Sequence, residues 1–246
     1  MAELKFVDVK TLRTVSPSFG TVLGDIESKM PAGHPYSDTD KITWAHETTH
    51  GINANVRNSN LVSGKVFNAF YVLEGKALLL EEPKLKIQDA APNVPSSLRG
   101  DIYKLYMVDQ ATNAIESLVN ACCNMCSLAY ANDAEATGWN DRPLYLFDEW
   151  SAYQNGSAAR NDLKIADRAE TVAFMWEMAV YSSYMLMLDD NEERTTALTW
   201  MLNRSSIIYY SSSSTSKADA YLAKIKSENN LIDFWKKSGF EFLQNI

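Results

Sequence analysis

The chain has 246 residues, 46% of them apolar, enough for one large domain or two modest ones whose core needs neither disulfide nor metal to form. Its 23 Lys and Arg stand against 31 Asp and Glu, a net charge of -8, and so acidic a chain argues against nucleic acid or an anionic membrane surface as a partner. Only three histidines occur, so any chemistry that needs imidazole has few places to sit.

The first ten residues carry Glu3, Lys5, Asp8 and Lys10 inside what would be the apolar stretch of a signal peptide, so none is expected. Residues Leu4–Val9 suggest a strand within an otherwise irregular first 33 residues. Ser37-Asp38-Thr39-Asp40 supplies oxygens to cap a helix that runs through the histidine-bearing stretch and frays near Arg57–Asn60. Val66–Leu73 and Lys76–Leu80, joined by Glu74-Gly75, form an expected hairpin, and Leu85–Gln88 is a candidate third strand. From Asp101 the apolar spacing becomes helical, with helices expected over Asp101–Ala131, Pro143–Ala159, Asp162–Leu188, Asn191–Tyr210, Ser216–Ser227 and Leu231–Gln244.

The longest apolar-rich stretch, Ala173–Leu188, contains Glu177 and is too short and polar to span a bilayer. Cys122, Cys123 and Cys126 lie together on one expected helix, an odd and bunched set that makes no disulfide framework and fits a reducing compartment. Their C-x-x-C has no second pair to complete a zinc site, so they read as core residues. A soluble, cytoplasmic protein is therefore expected.

The chemistry lies in His46-Glu47-Thr48-Thr49-His50. On a helix, residues four apart stand one above the other, so both imidazoles can share one metal ion, and zinc accepts imidazole nitrogen readily. Glu47 is offset from them and can reach a metal-bound water as a general base. Ile42, Trp44, Ala45 and Ile52 supply the apolar neighbours of a buried helix. A di-iron bundle is excluded, because only His50 has a Glu three residues before it.

On His46, Glu47 and His50 the sequence resembles the zincin superfamily of zinc metallopeptidases, over about a dozen residues. Asn53 and Val56 stand where the metzincin extension needs Gly and His, so the resemblance is to the gluzincin branch, whose third ligand is a Glu from a later helix. It implies Zn2+ as cofactor and a peptide or protein as substrate, with the hairpin Val66–Leu80 offering a strand edge to an extended peptide.

Glu149 is the preferred third ligand. It lies between Phe147, Trp150 and Tyr153, where a carboxylate needs a partner, and Glu149-Trp150-Ser151-Ala152 loosely resembles the Glu-x-x-Ala helix of gluzincin-like families. Asp148, Glu116, Glu170 and Glu177 are the rivals. Tyr153, one turn beyond Glu149, is a candidate oxyanion donor as well as a packing residue. His34, in the loop before the site helix, can be a ligand, a transition-state donor or an uninvolved surface residue. Thr43 and Asn53 could orient an imidazole, but a solvated helix face accounts for both.

The expected architecture is α+β, mainly helical and zincin-like: a small β-hairpin lobe (1–98) holding the site helix (about 38–57), packed on a helical lobe (99–246) that carries the third ligand. The expected activity is zinc-dependent peptide hydrolysis through water activated by Glu47. The alternatives are a zincin-like binding protein with a structural or inactive metal site, a non-peptide metallohydrolase, and a mononuclear iron enzyme with two His and one carboxylate.

Overall fold

The computed structural model describes residues 2–15, 19–32, 38–111 and 139–242. They form a mainly helical α+β fold around one three-stranded antiparallel sheet. In chain order the elements are β1 (Phe6–Asp8), α1 (Thr21–Lys29), α2 (Lys41–Ser59), β2 (Phe67–Tyr71), β3 (Lys76–Glu81), α3 (Ile87–Ala90), a π-helical turn (Lys104–Asp109), α4 (Tyr145–Asp162), α5 (Glu170–Leu186), α6 (Glu192–Tyr210), α7 (Ser216–Lys226) and α8 (Asn229–Ser238). Among the described residues, no helix is long and apolar enough to cross a membrane.

The sheet order is β1-β3-β2, with Val7 opposite Ala77 and Ala69 opposite Leu79. Side chains alternate along each strand, and here both faces are covered. Ala69, Tyr71, Ala77 and Leu79 pack under α1 and α2 against Leu23, Ile26, Ile42, Ala45, Ile52 and Val56. Phe70, Leu78 and Leu80 face the larger helical core with Leu146, Phe147 and Trp150. Two buried faces explain why Ala77–Leu80 reads as an unbroken apolar run rather than an alternating one.

Helix α2 starts where expected: Asp40 Oδ1 accepts the amides of Ile42 (2.9 Å) and Thr43 (3.4 Å). It packs most extensively on α4. Gly156 lies at that crossing, where a Cβ would stand 3.4 Å from the Ile42 carbonyl oxygen, at ordinary contact distance. Helix α4 is buried on nearly every side, so its polar residues Asp148, Glu149, Ser151, Gln154 and Asn155 must find partners inside the protein.

Several stretches depart from expectation, among them the helix expected over Leu231–Gln244, which ends at Ser238 where Gly239 turns left-handed (φ 94°). Helix α1 forms inside the region read as irregular; its first turn is satisfied from afar, Val22 N–H donating to Asp162 Oδ2 at 3.0 Å, a cap that local pattern does not show. Leu85–Gln88 is not a strand, because Ile87 and Ala90, one turn apart, are both buried and wind the chain into α3. The helix expected over Asp162–Leu188 begins only at Glu170. Residues 163–169 form a loop with Lys164 (φ 54°) and Arg168 (φ 63°) in the left-handed region, held by buried Arg160, whose Nε and Nη2 donate to the carbonyls of Asp167 and Ala166, each at 2.9 Å. Of the helix expected over Asp101–Ala131, residues 112–131 lie outside the described residues, and with them Glu116 and the three cysteines.

Candidate metal centre

The i, i+4 spacing on α2 brings His46 and His50 together, their Nε2 atoms 3.1 Å apart and their rings edge to face at 4.8 Å. Helix α4 crosses them and delivers Glu149 between the two: Oε2 lies 3.3 Å from His46 Nε2, and Oε1 lies 3.4 Å from His50 Nε2. Four ligands at zinc's usual bond lengths stand about 3.3–3.4 Å from one another in a tetrahedron. Taking one ligand atom from each residue, the donors lie within 4.8 Å of one another, so the two imidazoles and the carboxylate converge closely enough to hold one ion. Two nitrogens and a carboxylate oxygen are also the donors that zinc prefers.

The charges lead the same way. Asp148 and Glu149 are adjacent carboxylates, 6% and 7% exposed, set among Phe147 and Trp150, which are fully buried. Two negative charges in such surroundings need a compensating cation, since an unpaired buried charge costs several kcal/mol. A divalent ion between neutral imidazoles balances the pair. Without one, a proton on His50 offsets part of that charge. For His50, burial opposes the proton, but the facing carboxylates of Glu149 and Asp148 outweigh it and raise its pKa well above the ordinary range. For Glu149, burial works upward while the imidazoles of His50 and His46 prevail and hold its carboxyl far below the usual carboxylate range.

Asp148 lies against the other nitrogen of His50. Its Oδ1 accepts a hydrogen bond from His50 Nδ1–H, so Nε2 is the nitrogen of that ring that faces His46 and Glu149. Asp148 is in turn held by Asn53, whose Nδ2 donates to it at 3.1 Å and to Ser151 Oγ at 3.0 Å. Asn53 therefore does not lie on a solvated face: it is 1% exposed and bears on His50 through Asp148. Thr43 faces elsewhere, its hydroxyl donating to Asp40 Oδ2 at 3.1 Å and accepting from Arg168 Nη2 at 2.6 Å.

A pocket of about 200 Å³ opens beside the triad, lined on one side by Ile42, Thr43, His46 and Glu47 of α2 and on the other by Tyr106, Tyr153 and the start of α5. Glu47 thus borders the space where a reacting group would sit. Tyr153 faces the same space, with its ring 4.4 Å from that of His46. Tyr106 had no signal in the sequence beyond an aromatic at helical spacing. In the fold its hydroxyl donates to Glu149 Oε2 at 3.0 Å and stands 3.2 Å from the hydroxyl of Tyr153. Burial and the Glu149 charge push the pKa values of both phenols up, so both stay protonated at neutral pH.

The other rivals have different partners. Glu170 is at the pocket rim, 3.6 Å from Arg168 Nε. Glu177 accepts the amides of Asp101 and Ile102, each at 3.2 Å, and the Tyr181 hydroxyl at 2.8 Å; only glycine fits at position 100 above it, where a Cβ would come within 2.1 Å of its Cδ. His34 lies outside the described residues. The strand edge expected at the hairpin is closed at Tyr71: its N–H donates to Asn53 Oδ1 (2.6 Å) and its carbonyl accepts from Asn155 Nδ2 (3.0 Å). Compared with protein-family models, with curated proteins and with solved structures, the chain matches none.

Proposed function

We propose that this chain is a metal-dependent hydrolase in which His46, His50 and Glu149 hold a zinc ion, and that its substrate bond is a peptide bond. The observation that carries the reading is the convergence of His46, His50 and Glu149, with one donor atom from each within 4.8 Å of the others, beside a pocket bordered by Glu47. Zinc held there would supply a Lewis acid that polarises a carbonyl and makes a water acidic enough to lose its proton near neutral pH. Glu47 is the base that takes that proton and later passes it to the leaving nitrogen. Tyr153 donates its phenolic hydrogen to the oxygen on which charge develops. Asp148, braced by Asn53, fixes the ring of His50 with Nε2 inward.

The choice of peptide rests on the resemblance of His46-Glu47-Thr48-Thr49-His50 to the zincins, while the donor set supports metal-assisted hydrolysis in general. The same two imidazoles and one carboxylate suit ferrous iron, which makes a mononuclear iron enzyme the second reading. Elemental analysis of protein produced without added metal separates the two. The test of the mechanism is Glu47→Gln, which should retain zinc at wild-type stoichiometry and lose hydrolysis of a peptide library read by mass spectrometry. Wild-type turnover in that variant would remove Glu47 from the mechanism.

A further inference from the structure

The phenol of Tyr106 touches the carboxylate of Glu149, and nothing in the hydrolytic reading uses it. Its hydroxyl donates at 3.0 Å to Oε2 of Glu149, the oxygen 3.3 Å from His46 Nε2, while Oε1 of the same carboxylate faces His50 Nε2 at 3.4 Å with no phenol on it. The two oxygens are therefore inequivalent before any ion arrives. Tyr106 is itself firmly held. It is 6% exposed, and its ring stacks on Trp139 (5.4 Å, 25° between planes), which stacks in turn on Tyr145 at the start of α4 (5.2 Å, 24°). It sits in the π-helical turn Lys104–Asp109, where Gln110 N–H reaches back to the Leu105 carbonyl at 3.0 Å. Such turns shift side chains from their ordinary helical direction and are often found at functional sites.

We propose that Tyr106 is a positioning residue: its hydrogen bond occupies a lone pair of one carboxylate oxygen, which disfavours two-oxygen binding by Glu149 and keeps a coordination position open towards the pocket. A carboxylate free to use both oxygens would occupy that position itself, and catalytic centres need it for water or substrate. Tyr153, whose hydroxyl is 3.2 Å from that of Tyr106, lines the same pocket. The inference rests on the reading that His46, His50 and Glu149 hold a metal.

The experiment compares wild type, Tyr106→Phe and Tyr153→Phe as full-length, metal-free protein. Zinc affinity is measured by competition with a chromophoric chelator, and the visible absorption spectrum is recorded after loading with Co2+. Phenylalanine keeps the ring on Trp139, and thermal unfolding of the metal-free variants checks that the fold is retained. Tyr106→Phe should bind zinc about tenfold or more weakly, the usual effect of losing a partner behind a ligand. Its Co2+ bands should weaken and shift as coordination number rises, whereas Tyr153→Phe should keep the wild-type spectrum. If wild type binds no metal, the underlying reading fails and this inference with it. If wild type binds zinc but Tyr106→Phe matches it in affinity and Co2+ spectrum, the metal centre stands and the role given to Tyr106 is wrong.

Discussion

Asp148 and Glu149 are neighbours in sequence with separate tasks, because successive helical residues point about 100° apart. Glu149 aims at both imidazoles and Asp148 at the far nitrogen of one of them. Asp148→Asn keeps the shape and one acceptor oxygen but removes the charge that steadies His50. It should weaken zinc binding by about 10–100-fold and leave the fold intact, as read by chelator competition and circular dichroism. At this scale the sequence was legible where spacing on a single helix sets geometry, as for His46, Glu47 and His50. It was also legible at Glu149, where an acid among aromatics announces its need for a partner. Asp148 could be found as an acid near the site but not assigned, since its task depends on the angle at which α4 crosses α2. Tyr106 could not be found at all, because a packing tyrosine and a ligand-pinning one look alike until distant segments meet.

Among the elements, α4 decides most. Its polar residues form one buried network that ties α2, β2 and α6 together. Asn155 donates to Thr49 Oγ1 (3.1 Å) and to the Tyr71 carbonyl (3.0 Å) and accepts from Arg204 Nη2 (2.6 Å), while Arg204 Nη1 also donates to Gln154. Asn155→Leu is similar in volume but leaves those groups without their partner inside the protein. It should cost roughly 2–4 kcal/mol, seen as a lower urea midpoint with an unchanged slope. The same network explains why the strand edge offered by the hairpin pattern is shut at Tyr71: amide side chains from α2 and α4 occupy it. Sequence pattern located α2, the hairpin and the helices from Tyr145 onward, since their apolar spacing is set by local geometry. It failed for α1, whose cap comes from Asp162, and for Leu85–Gln88, where burial at Ile87 and Ala90 overrides a short strand-like pattern.

At the scale of the whole molecule, the sheet and the helical core are joined by another half-buried acid. Glu82 Oε2 accepts the Leu144 amide at 3.1 Å and its Oε1 accepts from Asn68 Nδ2 at 2.6 Å, linking the end of β3 to the entrance of α4. Burial pushes its pKa up to about 7, against the opposing pull of those hydrogen bonds and of Arg142 and Arg57. A raised carboxyl pKa means that the folded chain holds a proton which the unfolded chain has released. The stabilisation is complete below the unfolded value and is lost as pH rises towards and through 7. Wild type should therefore lose more stability between pH 5 and pH 8 than Glu82→Gln does, in denaturant titrations across that range. Equal pH slopes in the two proteins would show that Glu82 ionises normally.

All of this turns on whether the two imidazoles and Glu149 hold a divalent ion. Calorimetric titration of chelator-treated protein with Zn2+ answers it most directly, with His46→Ala, His50→Ala and Glu149→Gln alongside. Wild type should take up a single zinc per chain and release a proton as it does so, because the ion displaces the one held by His50. Each of the three variants should lose that binding. A wild-type chain that takes up no zinc, or variants that bind it as tightly as wild type, would contradict the metal centre and the hydrolytic function built on it.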